Sequence, residues 1–268
     1  MSSAVILQHV AQEGPGRIVP IFRDFGIPVQ IRRLDQGDEV PTDLDEVRTL
    51  IVLGGPMSVS DAGNGKYPFL AQELEVLRRM IAVDRPVLGI CLGAQLLAHA
   101  AGAKVYPNVK PGPTPQDPPI PVPELGWEPI TLPFPGGNEP LVMGLVDGTP
   151  MFHWHFETFD LPKLPSPPGH PPPPAPPPPT GNSLISSSRA CKNQAFRFKN
   201  RLFGFQYHFE YTAADIDAVL TAGKQDVVKF LGPDGEKKIR QDTEKFFARY
   251  ARAGERILRN YVQFLKVY

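Results

Sequence analysis

The sequence predicts an α/β fold in which a mainly parallel, doubly wound sheet carries helices on both faces and a helical extension follows at the C-terminal end. Two observations lead to this prediction. Short runs rich in Val, Ile and Leu alternate with amphipathic segments over the first ninety residues, and the connections between them are short. Because successive strands are separated by helices, they must pair in parallel through crossover connections.

Each predicted element has a local reason. Apolar runs stopped by glycine or proline predict strands at 4–10, 28–32, 49–53 and 86–90. Helical spacing of apolar residues predicts helices at 17–25, 68–83 and 92–101. Further along, alternation predicts a strand at 151–159, and two apolar runs around Lys199-Asn200-Arg201 predict a hairpin of 191–198 with 202–209. Thr212 is a predicted N-cap for a helix at 213–222.

Proline divides the chain. Of its 33 prolines, 25 lie between Pro107 and Pro179, and proline is excluded from helix interiors and central strands. We expect one domain at 1–223, with proline-rich insertions at about 107–123 and 162–179. The second insertion is predicted to be exposed polyproline II, either an inert surface loop, which we favour, or a docking segment for a proline-binding module.

The predicted extension, 224–268, is basic. It carries 11 Lys and Arg against six Asp and Glu on helical, aromatic-rich sequence. Such a helix could contact an anionic partner, but packing of its aromatic side on its own domain is the simpler expectation.

Composition excludes several classes of function. Lys and Arg (28) balance Asp and Glu (28), so the chain lacks the excess positive charge of a nucleic-acid-binding protein. Two cysteines make no disulfide framework, which predicts a reducing, cytoplasmic location. No apolar run reaches membrane-spanning length, and the first residues do not resemble a signal peptide. No P-loop or other cofactor motif is present, so no cofactor is predicted.

The most informative segment is Gly89-Ile90-Cys91-Leu92-Gly93. A nucleophile flanked by glycines, with a strand before it and a helix after it, is typical of a nucleophile elbow. At a helix N-terminus the thiol is favoured as thiolate, and the Leu92 amide can donate to an oxyanion. Gly54-Gly55, at the end of another predicted strand, is the expected second oxyanion donor.

A cysteine nucleophile needs a base, and the base needs an orienting acceptor. His208 and Glu210 have a spacing of two, which would place both side chains on one face of a strand. Glu210 could accept from one imidazole nitrogen while the other takes the proton of Cys91.

These residues resemble the class I (triad) glutamine amidotransferases. Gly-Ile-Cys-Leu-Gly-Ala-Gln at 89–95 is similar to the nucleophile signature of that family, and Gly-Phe-Gln-Tyr-His-Phe-Glu at 204–210 is similar to its His-x-Glu signature, with Phe in place of the usual Pro. Gly54-Gly55-Pro56 matches its oxyanion strand end. Residues 154–162 are similar to the His-Gly-Asp segment of stand-alone members related to the amidotransferase domain of GMP synthase, with Phe and Glu in place of Gly and Asp.

The resemblance implies a flavodoxin-like fold and hydrolysis of the glutamine side-chain amide through a thioester on Cys91. It further implies that Gln95 and His155 line the glutamine pocket. In the family reaction, ammonia passes to a synthetase, so a synthetase partner is an expectation here.

Two other functions stay open at this point: hydrolysis of γ-glutamyl amides or peptides by the same residues, and a non-catalytic binding or regulatory role. His153, His155 and Glu157 alternate as metal ligands could, but a polar pocket wall is favoured and no metal site is predicted. His9 is expected to be structural, and Cys191, on a predicted strand, inert.

Overall fold

The computed structural model describes residues 2–163 and 182–267. The proline-rich insertion predicted at 162–179 therefore lies outside the described residues, except for its first two positions. The strands are β1 (Ser3–Gln8), β2 (Val29–Arg33), β3 (Val47–Val52), β4 (Val87–Ile90), β5 (Val105–Pro107), β6 (Val109–Lys110), β7 (Ile120–Pro121), β8 (Glu124–Ile130), β9 (Thr149–His155), β10 (Glu157–Phe159), β11 (Asn182–Ser186), β12 (Ala195–Phe198) and β13 (Leu202–Phe205).

The helices of the described part are α1 (Ile18–Asp24), α2 (Pro68–Ala82), α3 (Leu92–Ala100), α4 (Ala213–Ala222), α5 (Lys224–Leu231) and α6 (Gly235–Val267). None of them is both long enough and apolar enough to span a membrane. Thr212 caps α4 as predicted, since its hydroxyl accepts from the Asp215 amide while the Asp215 carboxylate accepts from Thr212.

Seven strands form the central sheet in the order β11-β12-β13-β4-β3-β1-β2. The five strands from β13 to β2 are parallel, while β12 and β11 are antiparallel additions at one edge. One face packs on α2 and α3 through leucines such as Leu74 and Leu97. The other packs on α1, α4 and α6 through residues such as Phe22 and Tyr261. The predicted α/β class, with helices on both faces and a C-terminal helix, is confirmed.

Helix α6 runs for 33 residues across the domain and is tied to it by buried and partly buried polar contacts. The hydroxyl of Tyr261 lies 2.6 Å from that of Thr49 in β3. Arg17 donates to the carbonyls of Ala251 in α6 (2.6 Å) and Phe209 (2.7 Å), and so ties the helix to the chain around residue 209. The division into a domain at 1–223 and an extension at 224–268 stays a prediction.

Four local predictions were wrong. The strand predicted at 151–159 is two strands, because β9 pairs with β8 whereas β10 turns away to pair with β5. Cys191 precedes β12 rather than lying on a strand. The insertion at 107–123 is not purely loop, since β6 pairs with β7 within it.

His208 and Glu210 do not share a strand either. Strand β13 ends at Phe205, opposite Ile90, the last residue of β4. After β4 the backbone turns sharply at Cys91 into α3, so β13 has no parallel partner on the β4 side beyond that point. The segment carrying His208 bends away, held by a hydrogen bond from the His208 amide to the Phe152 carbonyl of β9 (2.9 Å).

Candidate active site

Cys91 occupies a strained turn between β4 and α3. Its backbone has φ 53° and ψ −110°, a conformation that a non-glycine residue adopts only where the surroundings enforce it. The turn closes because Gly93 packs directly on the Val52 carbonyl, where any Cβ would collide. The Cys91 thiol donates to the Trp154 carbonyl oxygen (3.5 Å), and the Leu92 amide interacts favourably with the sulfur.

His208 and Glu210 form a hydrogen-bonded pair beside this cysteine, although they are not on a strand. His208 Nδ1 lies 2.7 Å from Glu210 Oε1, and the other Glu210 oxygen accepts from the Phe209 amide (2.8 Å). The imidazole stacks on the ring of Tyr211, with centroids 4.1 Å apart. Among the described residues, His208 Nε2 has no hydrogen-bond partner, and it is on this side that the ring interacts with Cys91.

The electrostatics of the pair follow from burial and from Glu210. Burial disfavours the charged imidazole, yet the Glu210 carboxylate and the Cys91 sulfur raise the pKa of His208 well above its ordinary value. Burial raises the pKa of the Cys91 thiol, while His208 and the Leu92 amide act in the opposite direction. The site therefore favours the protonated form of the ring, which makes His208 a suitable base for the proton of the neighbouring thiol.

Gly54 and Gly55 follow β3, and this strand end lies beside the turn at Cys91 and Leu92. A Cβ on Gly54 would collide with the Glu13 carboxylate and would lie 2.9 Å from His208 Cε1 and 3.4 Å from Cys91 Cβ. Only glycine allows this approach of backbone to side chains. The strand end predicted to supply an oxyanion donor therefore lies against Cys91 and His208.

A cavity of about 450 Å³ opens in front of Cys91. Its polar lining consists of Gln12, Glu13, Ser58, Gln95, His155, Glu157 and Asp226, and its walls include Met57, Trp154 and Phe156. No Lys or Arg is among the described residues that line it. A second hollow of about 430 Å³, around His99 and residues 102–106, contains none of the predicted site residues.

Comparison with known proteins assigns the family. The sequence model of class I glutamine amidotransferases matches residues 16–156, which is more than half of the chain and includes Cys91. The chain belongs to the class I glutamine amidotransferase family. The structure thus has the fold that the sequence motifs predicted, with a strained turn at Cys91.

Relatives within the family cover different shares of the chain. The glutamine amidotransferase-like protein YfeJ of Salmonella typhimurium is 26% identical over 253 residues, covering 94% of this chain and 92% of that protein. A glutamine-hydrolysing GMP synthase of Porphyromonas gingivalis is 32% identical over 203 residues, covering 71% of this chain but only 32% of its own length. Among solved structures, a glutamine amidotransferase from Thermotoga maritima has the same fold, with a TM-score of 0.75 at 24% identity over 98% of this chain and 97% of that one.

The two residues predicted to line an amidotransferase pocket, Gln95 and His155, do line the cavity. Gln95 donates to the side-chain oxygen of Gln206 (3.2 Å), which fixes its amide. His155 Nδ1 lies 3.0 Å from the Glu157 carbonyl oxygen, and Nε2 lies 3.0 Å from Glu124 Oε2. Both ring nitrogens of His155 thus face protein oxygens, so contact with a ligand would fall to the ring face.

The residues that could hold a metal differ from the set considered from sequence. Ligand atoms of Glu124, His153 and His155, all buried, lie within 4.8 Å of one another. Glu157 is not among them, because its carboxylate accepts from the Ser58 hydroxyl (3.1 Å) at the cavity wall. Glu124 also accepts from Ser188 (2.6 Å) and from the Gln194 amide, so protein donors already surround it. This arrangement fits a buried polar network that supports the strand carrying His155.

We expect Glu124→Gln to lower the free energy of unfolding by about 3 kcal/mol at neutral pH. Burial opposes ionisation of Glu124, but the contacts from His155 and Ser188 lower its pKa to about 2. A carboxylate with a lowered pKa stabilises the folded state above its unfolded pKa, and this contribution disappears as the pH falls toward the folded value. The difference in free energy of unfolding between parent and variant, measured with urea, should therefore shrink by more than half between about pH 7 and about pH 3.

The matched control is Glu128→Gln, on the exposed side of the same strand. Burial and the charge of Glu124 raise the pKa of Glu128, so this replacement should not lower the free energy of unfolding at neutral pH. A gap for Glu124→Gln that stays constant from neutral to acidic pH would contradict the ion-pair interpretation.

Two residues near the site, Glu13 and His9, were not predicted there from the sequence. Glu13 is buried in the cavity wall, where it accepts from the Tyr211 hydroxyl (3.2 Å), and burial raises its pKa. His9, expected to be structural, contacts the Gly54 carbonyl. Both follow β1 at the carboxyl edge of the sheet, where folds of this class bind ligands, and that position was the available signal.

Proposed function

We propose that this amidotransferase hydrolyses the side-chain amide of glutamine to glutamate and ammonia, with Cys91 as nucleophile, His208 as acid and base, and Glu210 as the acceptor that orients His208. The observation that supports this most is a strained Cys91 that lines the cavity, with the Leu92 amide and the buried His208–Glu210 pair beside its sulfur. A non-catalytic protein has no need of a buried base next to a buried thiol.

The reaction proceeds in two halves. His208 takes the proton of Cys91, the sulfur attacks the amide carbon, and the resulting oxyanion is stabilised by the Leu92 amide and the strand end at Gly54-Gly55. The carbon–nitrogen bond then breaks, and His208 protonates the departing ammonia, leaving a γ-glutamyl thioester. In the second half His208 takes a proton from water as the water oxygen attacks the thioester carbon. The carbon–sulfur bond then breaks to release glutamate, and His208 returns the proton to the sulfur, which regenerates Cys91.

The lining of the cavity favours the ammonium group of a γ-glutamyl substrate. Glu13, Glu157 and Asp226 are its acidic residues, and no Lys or Arg from the described part of the chain lines it. Burial raises the pKa of Glu13 and of Glu157, because it disfavours their charged forms. The positive charge of an ammonium group would offset this unfavourable effect.

The cavity volume favours a second candidate, hydrolysis of γ-glutamyl amides or peptides. At about 450 Å³ the cavity is in the range that holds drug-sized ligands, and so leaves room beyond the ten non-hydrogen atoms of glutamine. The part of the cavity lined by Phe156 and Asp226 could take the amine portion of a larger amide. Alternatively, a synthetase partner that accepts ammonia could bind over the same part of the cavity.

The deciding experiment measures glutamate release by the purified chain from glutamine and from γ-glutamyl dipeptides in parallel. The protein is also treated with a diazoketone analogue of glutamine, and the labelled residue is mapped by peptide mass. We expect turnover of at least one substrate class and a single label on Cys91. The substrate ranking distinguishes the two candidates. Absence of both turnover and label on Cys91 would overturn the proposal.

Cys191→Ser is the matched control for labelling. Cys191 is buried away from the cavity, its sulfur lies 3.1 Å from the Thr158 hydroxyl, and burial raises its pKa to about 11. Its replacement should leave labelling and turnover unchanged.

A further inference from the structure

The ring of His9 lies between two hydrogen-bond acceptors in the core. Nδ1 lies 2.9 Å from the Gly54 carbonyl oxygen, while Nε2 lies 2.9 and 3.1 Å from the two carboxylate oxygens of Glu73. His9 and Glu73 are both fully buried. Because a carbonyl and a carboxylate accept but do not donate, both ring nitrogens must carry protons, and the ring is an imidazolium.

The charges around His9 agree with this assignment. Burial opposes protonation, but the Glu73 carboxylate raises the pKa of His9 above its ordinary value, with a smaller contribution from Glu13. Asp35 is the other charged group that interacts with the ring, and it is also an acid. The hydrogen bond to Gly54 is therefore charge-assisted, which makes it stronger than one between neutral groups.

This hydrogen bond fixes a whole peptide unit. The Gly54–Gly55 peptide is trans, since the only cis bond of the described chain is Phe134–Pro135. In a trans peptide the carbonyl and the amide hydrogen point in opposite directions. With the Gly54 carbonyl held on His9, the Gly55 amide is directed away from His9, and it has no acceptor among the described residues.

We propose that His9 and Glu73 form a positioning pair that holds the Gly54–Gly55 peptide with the Gly55 amide free to bind the oxyanion formed at Cys91. Without this anchor, two consecutive glycines could rotate about their shared peptide, because glycine populates both signs of φ. The inference rests on the proposed function and extends it: the second oxyanion donor is set by the chain's own core, and hydrolysis requires no partner to arrange it.

Two variants of His9 separate the roles of its nitrogens. His9→Asn puts an amide donor near the position of Nδ1, so it keeps the bond to Gly54 and loses the one to Glu73. His9→Gln puts its donor near the position of Nε2, so it keeps Glu73 and loses Gly54. We expect His9→Gln to lower kcat for the preferred substrate about 10- to 100-fold with KM changed less than about threefold, and His9→Asn to lose less than about fivefold.

Alkylation of Cys91 by iodoacetamide distinguishes loss of the oxyanion donor from general damage to the site. Displacement of iodide by sulfur builds no oxyanion, so both variants should be alkylated at the parental rate. Equal kcat in His9→Gln and the parent would overturn the proposal, as would parallel losses of turnover and alkylation in both variants.

Crystal structures of the two variants test the inference independently of turnover. We expect the Gly54 carbonyl to keep its direction in His9→Asn and to rotate in His9→Gln. An unmoved peptide in His9→Gln would overturn the positioning role even if the parent chain hydrolyses glutamine. Conversely, a rotated peptide in a protein without turnover would uphold the positioning role and reject the proposed function.

Discussion

Replacing Cys91 by serine is expected to lower kcat for glutamine hydrolysis about 10⁴-fold or more. The serine hydroxyl is a far weaker acid than the thiol, so His208 cannot generate the nucleophile at neutral pH, and no thioester forms. The buried site otherwise changes by one atom, so glutamine should still bind. Steady-state assays of ammonia release, together with calorimetric binding of glutamine to the variant, measure the two effects separately.

Cys191→Ser serves again as the control and should stay within about twofold of the parent, because its sulfur contacts only structural groups. Retention of more than about a tenth of the activity in Cys91→Ser would contradict a thioester mechanism.

Glu210→Gln is expected to lower kcat about 10³-fold or more, with a smaller change in KM. The carboxylate accepts from His208 Nδ1 at 2.7 Å and from the Phe209 amide at 2.8 Å. An amide in its place can offer its NH₂ group to Nδ1, which would favour the wrong tautomer of the imidazole. Kinetics with the substrate that the parent prefers give the loss directly.

The pH profile gives the second signature of Glu210. Because this carboxylate raises the pKa of His208, its neutralisation should move the His208-dependent limb of the profile toward lower pH. Asp217→Asn, on the exposed side of α4, makes the same change of charge and should leave rate and profile alone. An unshifted limb with a normal rate would remove Glu210 from the mechanism.

Much of the fold could be predicted because its determinants are local. Apolar periodicity placed β1 to β4 and α1 to α3 within a few residues of their observed bounds. Cys91 was found for the same reason, since the glycines that let its turn close lie two residues to either side. The prediction failed where pairing depends on a distant strand, as at Phe205, where β13 ends because β4 ends.

The sequence by itself determined the fold class, the glycine-flanked turn at Cys91 and the neighbouring pair His208 and Glu210, because those features depend on residues close together in the chain. Only the tertiary structure decided what surrounds them. It placed Glu73, 64 residues from His9, beside that ring, and it placed Glu13 against His208 from the far end of the chain. No periodicity links such pairs: the contacts exist only because parallel strands bring their carboxyl ends to one edge of the sheet.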